Sequence, residues 1–248
     1  MGIINLTPDS FSDGGKYKGE KAVKHALELE RDGADILDLG AQSTRPGYTE
    51  ISPEEEWARL GGVLSELRQK TSLPISVDTY FPFVAKKALE NGADIINDIS
   101  GIITAEKAEI IKSSGAGWVI THNGSGGADE VKAFFEEALE KCRRLGVNEN
   151  QLCFDMGIGF GKSYEQNLEL IANVKKYKPS GAPLLLGTSR KRVIGEASRQ
   201  AVPEKRVFGN IAADTAAILG GTDIIRIHDV KNEIQGVRTA EEIKKWIK

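Results

Sequence analysis

Gly33-Ala34-Asp35-Ile36-Leu37 returns as Gly92-Ala93-Asp94-Ile95-Ile96 and again as Gly221-Thr222-Asp223-Ile224-Ile225, and Gly115-Ala116-Gly117-Trp118-Val119-Ile120 is a looser copy. Each copy follows an amphipathic stretch and opens a short β-rich run. The pattern reads as a helix stopped by glycine in the left-handed conformation, then a buried strand. Repeated joints of this kind imply parallel strands linked by crossover helices.

Outward from these joints the same rhythm places eight strands, at 1–5, 35–39, 75–77, 94–97, 118–121, 152–155, 183–186 and 223–227. Helical patterns fill the gaps. Ala22, Val23, Ala26 and Leu27 share one apolar face. Ser52-Pro53-Glu54-Glu55 is a capping box with proline at the first helical position. Thr239 and Glu242 suggest a second box ahead of Ile243 and Trp246. Strict alternation predicts an α/β fold, a single (β/α)8 TIM barrel. A doubly wound open sheet stays the alternative, because periodicity does not show closure. No linker or composition shift divides the chain, so 1–248 is expected to form one domain. Long non-helical stretches at 6–18 and 41–52 follow strands and suit functional lids.

Composition narrows the class. The chain has 248 residues, a formal charge of −3 and well-mixed charged residues. No basic tract suggests nucleic acid, and no apolar run is long enough to span a membrane. Two cysteines, Cys142 and Cys153, are too few for a disulfide framework and fit a reducing, cytoplasmic setting.

Barrel chemistry gathers where strands end. The predicted ends carry Asn5, Ser43-Thr44-Arg45, Asp78, Asn97, His122, Asp155, Ser189-Arg190-Lys191, Arg226 and His228. A lone Asp or Asn there is as readily a helix cap. Arg, Lys and His do not cap helix N-termini, so they ask for another explanation. Arg45, Arg226 and His228 flank the first strand in a closed barrel and suit an anion, an arginine fork matching phosphate oxygens. An ion pair of Arg226 with Asp223 or Asp229 is the plainer alternative. Asn5 adds an oxygen suited to Mg2+. Asp78, Asn97 and Asp155 are expected across the barrel from these cations, where carboxylates accept from a planar N–H pair and Lys191 donates to a ring atom. Gly157-Ile158-Gly159-Phe160-Gly161-Lys162-Ser163 imitates a phosphate loop but fails its spacing. It reads better as a turn that lets Asp155 and Phe160 approach a ligand.

Residues 1–15, with Asn5-Leu6-Thr7-Pro8-Asp9-Ser10-Phe11-Ser12-Asp13-Gly14-Gly15 at their centre, resemble the opening signature of the dihydropteroate synthase family. Ser43-Thr44-Arg45-Pro46-Gly47, Asp78, Ile96-Asn97-Asp98, Asp155 with 157–162, Thr188-Ser189-Arg190-Lys191 and Arg226-Ile227-His228 follow in the family's order. The resemblance implies a transferase of folate biosynthesis, a sulfonamide target that condenses 6-hydroxymethyl-7,8-dihydropterin diphosphate with p-aminobenzoate. It implies Mg2+ at Asn5, diphosphate on Thr44, Arg45, Arg226 and His228, and pterin on Asp78, Asn97, Asp155 and Lys191. Phe160, Ser189 and Lys191 would border p-aminobenzoate. Asp9 and Asp13 on a closing loop would join Asp155 and Lys191 as catalytic groups. A cytoplasmic homodimer and dissociative departure of diphosphate are further expectations. Family members usually carry a segment ahead of the first strand, so a more exposed barrel bottom is also expected. A corrinoid-dependent methyltransferase shares the pterin-reading groups but has no use for the diphosphate clamp. A pterin-binding barrel without turnover is the non-enzymatic rival.

Overall fold

A computed structural model describes residues 1–6, 16–42 and 49–247, the side chains of 16–18 excepted. Strands and helices alternate as the repeats require. The order is β1 (Gly2–Asn5), α1 (Lys16–Asp32), β2 (Leu37–Gly40), α2 (Pro53–Arg68), β3 (Ile75–Asp78), α3 (Pro82–Glu90), β4 (Ile95–Asp98), α4 (Ala105–Ser114) and β5 (Gly117–Thr121). It continues with α5 (Ala128–Arg144), β6 (Leu152–Asp155), α6 (Tyr164–Ala172), α7 (Val174–Tyr177), β7 (Leu184–Leu186), α8 (Arg192–Ala197), α9 (Val207–Leu219), β8 (Ile224–Ile225) and α10 (Val230–Lys244). The eight strands are hydrogen-bonded in sequence order, all parallel.

Closure decides between a barrel and an open sheet. Gly2 bridges Ile227 in parallel register. The Ile3 N–H donates to the Ile227 carbonyl at 2.9 Å, and the Ile227 N–H donates to the Met1 carbonyl at 3.0 Å. The last strand therefore meets the first, and the fold is the (β/α)8 barrel.

The joints behave as their glycines predict. Gly33, Gly92, Gly115 and Gly221 all have positive φ, between 74° and 108°. The aspartate of the repeat has a task of its own. Asp94 Oδ2 accepts from the Ile75 N–H at 2.8 Å, and Asp223 Oδ2 accepts from the Leu184 N–H at 2.7 Å. Each thus satisfies the first N–H of the preceding strand, which helix-to-strand geometry leaves without a ladder partner.

The strand period of two sorts side chains into two compartments. Outward residues such as Ile4, Leu39, Val77, Ile120, Phe154 and Leu186 pack against the helices in the main core. Inward residues at the bottom form a smaller apolar plug of Met1, Val119, Cys153 and Leu185, backed by Ile36, Ile95 and Ile224. One step further along the same faces the interior turns polar, with Asp38, Asn97 and Asp155 all buried.

Capping is as expected at α2, where Ser52 Oγ accepts from the Glu55 N–H at 3.1 Å. The expected helix start at Thr239 is wrong. α10 runs through it, and Thr239 Oγ1 donates back to the Gln235 carbonyl at 2.7 Å. The reason is the continuous apolar face of Val230, Ile234, Val237 and Ala240, which holds the helix together across the box-like sequence. Asp229 is the actual cap, accepting from the Asn232 N–H.

A pair of substitutions separates backbone cost from crowding. A Cβ at Gly221 would meet nothing within 4 Å, whereas one at Gly92 would lie 2.7 Å from Arg68 Cγ. Gly221→Ala is expected to lower stability by about 1–2 kcal/mol, the left-handed penalty alone. Gly92→Ala should cost more, because Arg68 must also leave its ion pair with Asp94. Urea unfolding of both variants checks the order.

Candidate active site

The polar layer of the barrel interior is built by register. Asp38 lies two residues beyond Ile36 on the inner face of β2, opposite Ser76. Asp78 and Asn97 are register partners on β3 and β4. Asp155 ends β6 opposite Thr121. Arg226 directly follows β8, and Lys191 is the residue before α8.

Arg226 organises this layer. Its Nε donates to Asp38 Oδ2 at 2.7 Å, and one terminal nitrogen lies 2.6 Å from both Asp38 Oδ2 and Asp78 Oδ2. Neither expected partner, Asp223 nor Asp229, is used: Asp223 pairs with Lys178 and Asp229 caps α10. The cations are also not segregated across the barrel from the carboxylates. The guanidinium is one-fifth exposed and reaches inward over β1 to β2 and β3. Asp38 was not legible from strand ends, because it sits one inward step below the mouth. Its signal was a single carboxylate inside the apolar run Ile36-Leu37-Asp38-Leu39.

Burial sets the electrostatics. It disfavours charge on Arg226, but Asp38 and Asp78 outweigh it and keep the guanidinium charged. Asp78 is pushed up to about 7 by burial, with Arg226 pulling the other way and Asp38 adding to the rise. Asp155 is raised by burial, while Lys191 and the Gly157 N–H, 2.8 Å from Oδ1, oppose the rise. Lys191 falls to about 8 through burial, against the attraction of Asp155. Asn97 is 2% exposed and its Oδ1 has no partner among the described residues. A buried amide oxygen without a donor marks a place where a ligand N–H fits.

The second half of the site hangs on the turn after β7. Ser189 Oγ accepts from the His228 N–H at 3.2 Å and lies 3.0 Å from its Nδ1, which ties that turn to the end of β8. Lys191 Nζ donates to the Ile158 carbonyl and stands 4.9 Å from the centre of the Phe160 ring. From behind, Thr188 Oγ1 donates to buried Asp214 at 2.7 Å, and the buried carboxyl of Glu233 lies close enough to feel the Asp214 charge. Burial pushes this carboxyl pair up, Asp214 to about 7 and Glu233, which also feels the Asp214 charge, to about 8. Helix positions gave no hint of it.

The structure thus brings Asp78, Asn97, Asp155, Lys191 and Arg226 together, with Phe160, Ser189 and His228 beside them. Asn5 ends β1, half-buried, next to Gly40. Asp9, Asp13, Thr44 and Arg45 lie outside the described residues. Among the described residues no group of three His, Cys, Asp or Glu could hold a metal ion. The phosphate-loop likeness dissolves: Ser163 caps α6, and Lys162 turns inward to main-chain carbonyls.

Comparison with known proteins agrees with this geometry. Residues 1–228 match the family model described as pterin binding enzyme. The dihydropteroate synthase of Clostridium beijerinckii is 40% identical over 98% of this chain and 93% of its own length. That of Bacillus subtilis is 41% identical over 93% of this chain and 83% of its own. Among solved structures, Clostridium difficile dihydropteroate synthase crystallised with pteroic acid superposes with a TM-score of 0.93 at 39% identity, covering 98% of this chain and 95% of that one. The Xanthomonas albilineans enzyme in complex with 7,8-dihydropteroate gives 0.89 at 35%, covering 98% and 92%. Likeness of this degree runs from one end of the barrel to the other, and the chain belongs to the dihydropteroate synthase family of pterin-binding enzymes.

Proposed function

We propose that this chain joins 6-hydroxymethyl-7,8-dihydropterin diphosphate to p-aminobenzoate, giving 7,8-dihydropteroate and diphosphate, by a dissociative substitution. Family membership supports the overall reaction. The observation that carries the site reading is Asn97 Oδ1, without a partner among the described residues, amid buried Asp155 and half-buried Asp78 and Lys191. An aminopyrimidine edge offers N–H donors to the carboxylates and to Asn97, and a ring acceptor to Lys191. An analogue lacking those groups would leave buried polar atoms unpaired and be rejected.

The chemistry follows from charge. The bond between the pterin methylene and the diphosphate oxygen breaks, and its electrons leave with diphosphate. Positive charge then spreads from the methylene into the ring, where the Asp155 carboxylate favours it. The arylamine lone pair forms the new C–N bond, and the proton it then sheds passes to the released diphosphate or to water. Thr44, Arg45 and His228 hold the leaving diphosphate. Arg226 has its charge answered by Asp38 and Asp78, so its part is to keep Asp78 ionised and fixed. Asp9 and Asp13, which lie outside the described residues, would join Asp155 and Lys191 as catalytic groups.

Asn5 offers one neutral oxygen, and no carboxylate cluster accompanies it among the described residues. This donor set fits Mg2+, which keeps most of its ligands as water and substrate phosphate oxygens. When bound there, the ion would neutralise charge on the departing diphosphate. We further propose one folding unit, residence in the cytoplasm and a homodimer. No helix among the described residues is long and apolar enough to cross a membrane. Phe208 on α9 and Trp246 beyond α10 are each more than four-fifths exposed, which supports a covering partner surface.

Formation of dihydropteroate from the two substrates with Mg2+ tests the reaction. For the dissociative order, pterin diphosphate labelled in its bridging oxygen should scramble the label without p-aminobenzoate; scrambling that strictly requires the amine overturns it. The kcat/KM profile should be bell-shaped. Activity falls below about pH 7, where Asp78 gains a proton, and above about pH 8, where Lys191 loses one. Lys191→Arg should carry the alkaline limb upward. Asp38→Asn should raise KM for the pterin diphosphate at least about tenfold and lower stability by about 3 kcal/mol, the cost of breaking a buried pair. Steady-state kinetics and urea unfolding check both.

A further inference from the structure

Lys162 takes no part in the reaction as derived, yet it is only 6% exposed. Its ammonium donates to the carbonyls of Gly157 at 3.0 Å, His122 at 3.1 Å, Phe160 at 3.3 Å and Gly124 at 3.4 Å. Two of these oxygens come from the loop after β5 and two from the loop after β6. The loops touch through their backbones. A Cβ at Gly157 would lie 2.0 Å from the His122 oxygen, and one at Gly161 would lie 2.8 Å from the Gly124 carbonyl carbon. Four carbonyl dipoles pointing at one another repel unless a cation or donor sits between them. The ammonium, with its three N–H groups, fills that place. Burial draws its pKa down to about 8, against the attraction of Asp155, so it stays charged at neutral pH.

The other side of the same loop faces the reaction. Ile158 offers its carbonyl to Lys191 Nζ, and the Phe160 ring lies beneath that ammonium. A Cβ at Gly159 would press on Lys191 Cδ at 3.2 Å. Asn167 of α6 pins the loop's outer edge by accepting from the Gly159 N–H at 2.7 Å. The loop is therefore held between two lysines, one buried behind it and one at the site in front. We propose that Lys162 is a positioning residue for the p-aminobenzoate subsite: by gathering four main-chain carbonyls it fixes Phe160 and the Ile158 carbonyl against Lys191. The proposal rests on the function given above and goes beyond it in naming what sets the arylamine wall.

The test uses the full chain with Lys162→Met, Lys162→Gln, Phe160→Ala and the Lys162→Met/Phe160→Ala double variant. Lys162→Met should raise KM for p-aminobenzoate about tenfold and leave KM for the pterin diphosphate within about twofold. Lys162→Gln keeps two N–H donors and should recover part of the loss. If Lys162 acts through Phe160, the double variant adds less than about twofold to the worse single one. Both KM values moving together, additive effects, or unchanged kinetics overturn the proposal. So does failure of both Lys162 variants to fold, which makes the ammonium a fold element only. Wild-type protein that forms no dihydropteroate overturns the functional reading; wild-type turnover with indifferent variants overturns the positioning role alone.

Discussion

Arg226, set between Asp38 and Asp78, is the contact on which the rest of the barrel interior depends. It joins the last strand to the second and third across the first, inside a closed ring of parallel strands. Ion pairs this deep are poor sources of net stability, since desolvation consumes most of the attraction. Breaking one by removing a single partner is nevertheless costly, because the other charge is left stranded. Such an arrangement specifies geometry more than it strengthens the fold. Here it holds Asp78 beside Asn97, its register partner.

The barrel gives the site its depth by stacking chemistry in layers. An apolar plug around Val119, Cys153 and Leu185 closes the bottom. Carboxylates, the amide and the cations occupy the next inward positions on the same strands. The transition takes one inward step of two residues, as from Ile36 to Asp38 or from Cys153 to Asp155. Low polarisability below and helices all round explain why Asp78 and Lys191 titrate close to neutrality. Groups so tuned respond to a substrate's hydrogen bonds and charge more strongly than surface residues do.

Around that core the loops are tied by main-chain contacts as much as by side chains. Lys162 gathers carbonyls from two loops, Ser189 links the seventh strand's turn to His228, and Asp214 with Thr188 supports that turn from the helix side. Each of these ties fixes a loop or turn at the mouth of the barrel.

Much of the architecture was legible in the sequence because the Gly-Ala-Asp joint is a local device. Glycine permits the left-handed stop, aspartate satisfies the preceding strand's first N–H, and the apolar run that follows is buried. These causes act over a few residues, so the alternating strands and the strand-end residues Asp78, Asn97, Asp155 and Lys191 could be read directly. A local signal also misled where a longer-range one prevailed, as at Thr239, whose cap-like surroundings lie inside one continuous amphipathic helix. Closure of the sheet, the partners of Arg226, the role of Asp38 and the cage around Lys162 belong to the tertiary structure alone. They join residues up to 226 positions apart, and which charges meet depends on strand register and barrel closure, which no short stretch of sequence encodes.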